Sequence, residues 1–266
     1  MSRQVITLFL FKLKKKITRI APWLFILFLL IFLLFNASPG ITEKDEQYLV
    51  AFLKEWNIEL DKKQIHRNQE NEVAFISRLQ DSVLHSISHF TISFDSAGKV
   101  ENYFHQRKGL CFDRSLLLEK FCLLAGFKVR HLYIFFNGDG QKPERSDFFK
   151  KGLTSHAMFE VKTSQGWMAV GTNSNWLGQD IEGSPLSLKE IRSRLGKNKL
   201  ELKKSFTVGL PFYDELRQKD AFRFVYGIYS RHGQFLKSRP LETWLNSIGL
   251  KSKLPDYNIN MLFSNL

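Results

Sequence analysis

Cys111 and His156 are the two residues of this 266-residue chain whose types and spacing could do chemistry together. Cys111 sits in Gln106-Arg107-Lys108-Gly109-Leu110-Cys111-Phe112-Asp113-Arg114-Ser115, and an apolar run from Leu116 through Phe121 to Ala125 follows, closed by Gly126. The run reads as a helix. A thiol just inside a helix N-terminus, beside basic residues, is where a thiolate is most easily stabilised. Farther on, His156-Ala157-Met158-Phe159-Glu160-Val161 reads as a strand that starts on a histidine. A thiol on a helix tip facing an imidazole on a strand is suited to nucleophilic attack on a carbonyl.

The elements that must position this pair follow from periodicity. Residues 43–56 carry Tyr48, Phe52 and Trp56 at helical spacing, after a cap signal at Thr42-Glu43-Lys44-Asp45. Residues 61–69 read as a polar linker. Residues 70–90 place Val73, Ile76, Leu79, Val83 and Ile87 on one helical face. A loop at 94–99 precedes the cysteine helix at about 111–125. Val129 to Phe136 is a buried strand, and a long polar loop runs from Asn137 to about Ser155. Strands 156–162 and 167–171 form a hairpin about Ser164-Gln165-Gly166. Helical patterns return near 187–195, 211–227 and 240–248. Helices followed by antiparallel strands argue for an α+β fold.

Cys111 and Cys122 are the only cysteines. Eleven residues apart on one helix, their Cα atoms would be about 16 Å apart, beyond disulfide reach. Cys122 reads as a buried structural thiol. Glu160 faces as His156 does and reads as a salt-bridging or surface carboxylate. Trp167 reads as core packing, and Gln106 as a solvated side chain rather than an oxyanion donor. His85 and His89 have the i, i+4 spacing of metal ligands, but no third ligand is evident, so a solvated face is expected. Ser230-Arg231-His232 lacks the geometry and the G-x-S-x-G elbow of a serine hydrolase.

The formal charge is +13, and six of the positive residues (Arg3, Lys12, Lys14, Lys15, Lys16 and Arg19) lie before residue 20. The remainder is mildly basic and shows no stripe or motif of nucleic-acid binding. Ala21 to Phe35 is uninterruptedly apolar. With Asn36 it makes about sixteen residues, or roughly 24 Å of helix, short for a bilayer core of about 30 Å. Snorkelling of Arg19 makes up the difference. A cleaved signal peptide would need small residues that Phe35 and Pro39 deny. The basic flank orients such an anchor with its N-terminus in the cytoplasm.

Gly109-Leu110-Cys111-Phe112-Asp113, the helix after it, Gly126-Phe127-Lys128-Val129-Arg130, His156-Ala157-Met158-Phe159-Glu160-Val161 and Gly166-Trp167-Met168-Ala169-Val170 form an ordered set over about residues 70–175. This set resembles the bacterial transglutaminase-like proteins of the papain-like superfamily. The resemblance implies a Cys-His-Asp triad, with Cys111 as nucleophile and His156 as the base that holds it as thiolate. The family's Asp should follow Val170, where this chain has Gly171. Asn173 points to the same face if the strand continues and could hold the imidazole. Asn175, Asp180 or no third member at all are the alternatives.

The expected protein is a single-pass inner-membrane protein with an extracytoplasmic α+β domain of transglutaminase-like fold. Its parts are a basic cytoplasmic segment (1–20), a transmembrane anchor (21–36), a membrane-proximal helix and linker (37–69), the core (70–178) and a helical C-terminal extension (179–266). Its expected chemistry is thiol-dependent acyl transfer on an amide of a peptide or protein of the cell envelope, by Cys111, His156 and Asn173. No metal, organic cofactor or nucleic acid is implied. A non-catalytic envelope scaffold that keeps the Cys and His is the alternative. The Cys111 thiol is expected to ionise below its free value of about 8.5.

Overall fold

The computed structural model describes residues 20–27, 40–90, 92, 98–136, 154–195, 223–226, 230–231 and 234–235. Of the expected anchor, only 21–27 is described. It belongs to a helical stretch from residue 20, on which Trp23, Leu24 and Phe25 are exposed. No helix among the described residues is long and apolar enough to cross a membrane. The rest of the span and the basic segment before it lie outside the described residues.

Helix α1 (Glu43–Glu55) starts where the sequence places its cap: the Asp45 N–H donates to the Thr42 hydroxyl and the Thr42 N–H donates to the Asp45 carboxylate. The expected linker contains a short helix, α2 (Lys62–Ile65), capped by Asp61. Helix α3 (Gln69–Ser86) is shorter than its apolar periodicity suggests. Ile87 is already extended, and Ser88 bridges to Lys108. His89 is therefore off the helix and does not share a face with His85, whose Nδ1 faces the carbonyl of Asp81. Helix α4 (Val100–Gln106), which the sequence reading left unassigned, leads into the cysteine helix α5 (Cys111–Leu124).

Strands β1 (Lys128–Phe136), β2 (Thr154–Lys162) and β3 (Trp167–Val170) form an antiparallel sheet, with the β2–β3 hairpin turning at Ser164-Gln165-Gly166. Helix α6 (Leu188–Leu195) follows. The helix expected over 211–227 is corrected. Residues Arg223–Tyr226 are a strand, β4, beside β1, and the sheet order is β3-β2-β1-β4. Arg-Phe-Val-Tyr suits a strand by its aromatic and β-branched residues, and pairing Ile134 with Phe224 buries that ring. Short strands β5 (Ser230–Arg231) and β6 (Gln234–Phe235) pair with each other. The expected helix at 240–248 lies outside the described residues.

Each face of the sheet carries its own core. On one, Phe159, Val161, Met168 and Val170 pack with Leu117, Leu118, Phe121 and Cys122 of α5 and with α1 and α3. On the other, Leu132, Ile134, Met158 and Ala169 pack with Trp176, Leu186, Leu188 and Ile191. This alternation fixes β2: Ala157, Phe159 and Val161 go to the helix face, Met158 and Glu160 to the other. A buried polar group joins α5 to β1. The Ser115 hydroxyl donates to the Glu119 carboxylate at 2.9 Å, and that carboxylate pairs with Nδ1 of His131.

Candidate active site

The helix tip is built by residues around Cys111. Asp113 accepts the Leu110 N–H at 2.9 Å and the Tyr103 hydroxyl at 3.0 Å, so its carboxylate holds the chain entering α5. Gly109 is required by the same packing, since a Cβ there would meet the Asp113 Cβ at 2.7 Å. Cys111 is thereby the first helical residue, half-buried, with the backbone N–H groups of Ala157, Phe112 and Cys111 itself directed at its sulfur. Ala157 is the residue after His156, so β2 passes the thiol at its histidine end.

His156 is buried, with its Nε2 at 3.3 Å from the Thr172 hydroxyl oxygen. That hydroxyl donates its only proton to the Ala157 carbonyl at 2.6 Å. Its oxygen can therefore only accept from Nε2–H, which leaves Nδ1 as the basic nitrogen. Nδ1 faces the Asn173 side-chain nitrogen at 3.5 Å, while the Asn173 oxygen takes an N–H of Arg114 at 3.4 Å. The guanidinium needs an acceptor, and that requirement sets the orientation of the amide.

Of the expected site residues, His156 and Asn173 meet at 3.5 Å and the Cys111 sulfur takes the N–H of the residue next to His156, but Asn173 faces the basic nitrogen and does not accept the imidazole N–H. Thr172 does, and the sequence reading missed it. The side-chain alternation used to choose Asn173 ends at Gly171, whose N–H turns to the Trp176 carbonyl at 2.9 Å. Gln80 of α3, fully buried, clamps this turn through its side-chain nitrogen, 2.8 Å from the carbonyls of both Gly171 and Trp176. A Cβ at position 171 would meet the Ser174 carbonyl oxygen at 2.8 Å, so the slot where an Asp was expected is closed to any side chain. Asn175 donates to Asp81, and Asp180 pairs with Arg194 and caps the turn at Ser184.

Arg114 is the second residue missed. One turn beyond Cys111, it donates through Nε and Nη2 to the Ile87 carbonyl at 3.0 and 2.6 Å. An arginine inside an apolar helical run was the available signal. Glu160, fully buried, is salt-bridged to Arg130 and accepts the Leu188 N–H at 2.7 Å. Arg130 also lies over the Trp167 ring at 4.1 Å, which gives that indole a packing role. Gln106 is exposed at the end of α4. Among the described residues no group of three or more His, Cys, Asp or Glu could hold a metal ion.

The electrostatics differ from the expected ion pair. Burial pushes the Cys111 thiol up, and Asp113 adds to this, against the three N–H groups that favour the thiolate. Burial, His89 and Arg114 push His156 down to about 3. Thiol and imidazole are both neutral at rest near pH 7. Burial also pushes the Cys122 thiol up, and that residue is wholly enclosed.

Residues 62–172 match the family model of the transglutaminase-like superfamily, a stretch that includes α2 through β3 and both Cys111 and His156. By this match the stretch is similar to transglutaminase-like domains, a family of thiol-dependent acyltransferase or peptidase-like chemistry. No curated protein matches the chain.

Proposed function

We propose that the protein is a thiol-dependent acyltransferase or amidase acting on peptide amides, with Cys111 as nucleophile, His156 Nδ1 as base and Thr172 as the residue that orients the imidazole. The thiol proton passes to Nδ1 as sulfur bonds to the amide carbonyl carbon. When the tetrahedral intermediate collapses, the C–N bond breaks and the leaving nitrogen takes that proton, leaving a thioester on Cys111. Water or an acceptor amine, deprotonated by His156, then attacks the thioester, and sulfur leaves with the C–S electron pair and is reprotonated. Asn173 donates weakly to Nδ1 and must release it for the base to act.

The observation that carries this reading is the fixed tautomer. Thr172 hydroxyl to Ala157 carbonyl, and Nε2–H to Thr172, leave the lone pair on Nδ1, the nitrogen assigned as base. The test is an acyl-donor peptide amide probe. A covalent adduct should form on the wild type and on Cys122→Ala, be released by hydroxylamine as a thioester, and be absent from Cys111→Ala. Absence of a thioester on the folded wild type would leave the scaffold reading, which the missing carboxylate favours. The apolar run and its basic flank further support an anchor that exports the domain to the cell envelope, where a C-terminal phosphatase reporter should be active and a cytoplasmic one silent.

A further inference from the structure

Arg114 is only 7% exposed. Its acceptors among the described residues, the Ile87 carbonyl and the Asn173 side-chain oxygen, are both neutral amides. Among the described residues no carboxylate pairs with it. An enclosed cation without a counter-ion is costly, and the fold keeps it one turn from the nucleophile.

Among the described residues, the other titratable groups beside the sulfur and the imidazole do not supply a positive charge. Asp113, on the same first turn, is an anion committed to the Leu110 N–H and the Tyr103 hydroxyl. His156, on β2, is held neutral, and His89, beyond the end of α3, is pushed down by burial and by Arg114. Burial pushes Arg114 down, and the Cys111 thiolate opposes this by favouring the charged guanidinium, an attraction that is mutual.

We propose that Arg114, and not an imidazolium, is the cation that stabilises the Cys111 thiolate, and that its bond to Asn173 fixes the amide facing His156. The proposal rests on Cys111 being the nucleophile. It inverts the usual triad rule. A carboxylate beside the imidazole ordinarily strengthens a thiolate–imidazolium pair. Here a carboxylate at position 173 would lie next to the guanidinium and neutralise the cation assigned to the thiolate.

The test is the pH dependence of iodoacetamide alkylation of Cys111 in the full-length chain carrying Cys122→Ala. Arg114→Gln should raise the midpoint by about 1 unit or more, slowing alkylation about tenfold near neutral pH. Arg114→Lys should retain most of the wild-type profile. Asn173→Asp should also raise the midpoint, and His156→Gln should leave it nearly unchanged. A midpoint unmoved by Arg114→Gln, lowered by Asn173→Asp, or raised by His156→Gln overturns the assignment. Asn173→Asp keeps Arg114 and its bonds to Ile87, so it decides the question even if Arg114→Gln does not fold. The profile is read whether or not the wild type forms a thioester with an amide, so failure of the enzyme reading and failure of this one are separate results.

Discussion

The two sides of the site are built on opposite principles. At the tip of α5 the chain follows the pattern that the transglutaminase-like resemblance implies: a glycine with no room for a side chain, an aspartate that caps the helix, and a cysteine as its first residue. At the exit of β3 it departs from that pattern. Gly171 closes the place of the expected carboxylate, Thr172 takes the imidazole N–H, and Asn173 faces the other nitrogen. Among the described residues, the carboxylate beside the thiol is Asp113, which serves the Leu110 N–H and the Tyr103 hydroxyl, and the enclosed cation one turn on is Arg114. The cysteine of the helix tip and the histidine of β2 are thus kept, while in our proposal the source of charge stabilisation moves from the imidazole side to the helix side.

The largest effect should come from the helix tip. Cys111→Ala should abolish thioester formation with an amide probe, while Cys122→Ala, eleven residues on and fully buried, should retain it. Equal adduct in both variants, measured by intact mass, would remove the helix tip from the chemistry. The imidazole side should respond less. Thr172→Val keeps the shape but removes the acceptor for Nε2–H, which should lower the acyl-transfer rate about 10²-fold, the lower end of what a general base contributes. Thr172→Ser keeps the hydroxyl and should recover most of that loss. If Thr172→Val matches the wild type while Asn173→Ala loses activity, the orienting residue is Asn173.

The helix tip was legible in the sequence because its signals are local: a cysteine and an Asp three residues into a helix, and a Gly past its end. The hairpin was legible for the same reason. The imidazole side was not, because strand alternation was carried past Gly171, where the chain has already turned under the clamp of Gln80, a residue of α3 distant in sequence. Arg114 was hidden for a related reason. Its acceptor, the Ile87 carbonyl, is free only because α3 stops at Ser86, whereas the apolar spacing of Val83 and Ile87 suggests that the helix continues. Strand β4 was read as helix because four residues cannot decide between the two periods. The long-range partner β1 does.

The comparison extends to stability. Gly109→Ala places a Cβ 2.7 Å from that of Asp113, and Gly171→Ala places one 2.8 Å from the Ser174 carbonyl oxygen. Each should cost about 1–3 kcal/mol by overpacking, and roughly 2–4 °C in Tm per kcal/mol for a domain of this size. Gly40→Ala meets nothing within 4 Å and should leave Tm unchanged. If Gly171→Ala is as benign as Gly40→Ala, the turn has room to move and its closed slot is no barrier to a carboxylate.

The last effect is a slope. His156 is held at about 3 in the folded chain, against an ordinary value of 6.5. The unfolded chain therefore binds a proton on this residue between those limits and the folded chain does not. Wherever the unfolded state holds more protons, stability rises with pH, so His156 contributes stability that is fully present above about pH 6.5 and lost as pH falls towards 3. The slope in that window approaches 1.4 kcal/mol per pH unit, roughly the value of one proton. Glu160 runs the other way, because burial raises its carboxyl and favours the folded state at low pH. The wild-type curve alone would mix the two. The difference between wild type and His156→Gln, followed by urea unfolding from pH 3 to 8, isolates the imidazole. The wild type should lose ground to the variant on acidification below pH 6.5 and run parallel to it above. Parallel curves throughout would mean that the imidazole accepts a proton in the folded chain, which would restore the thiolate–imidazolium pair and leave Arg114 without its place in the site.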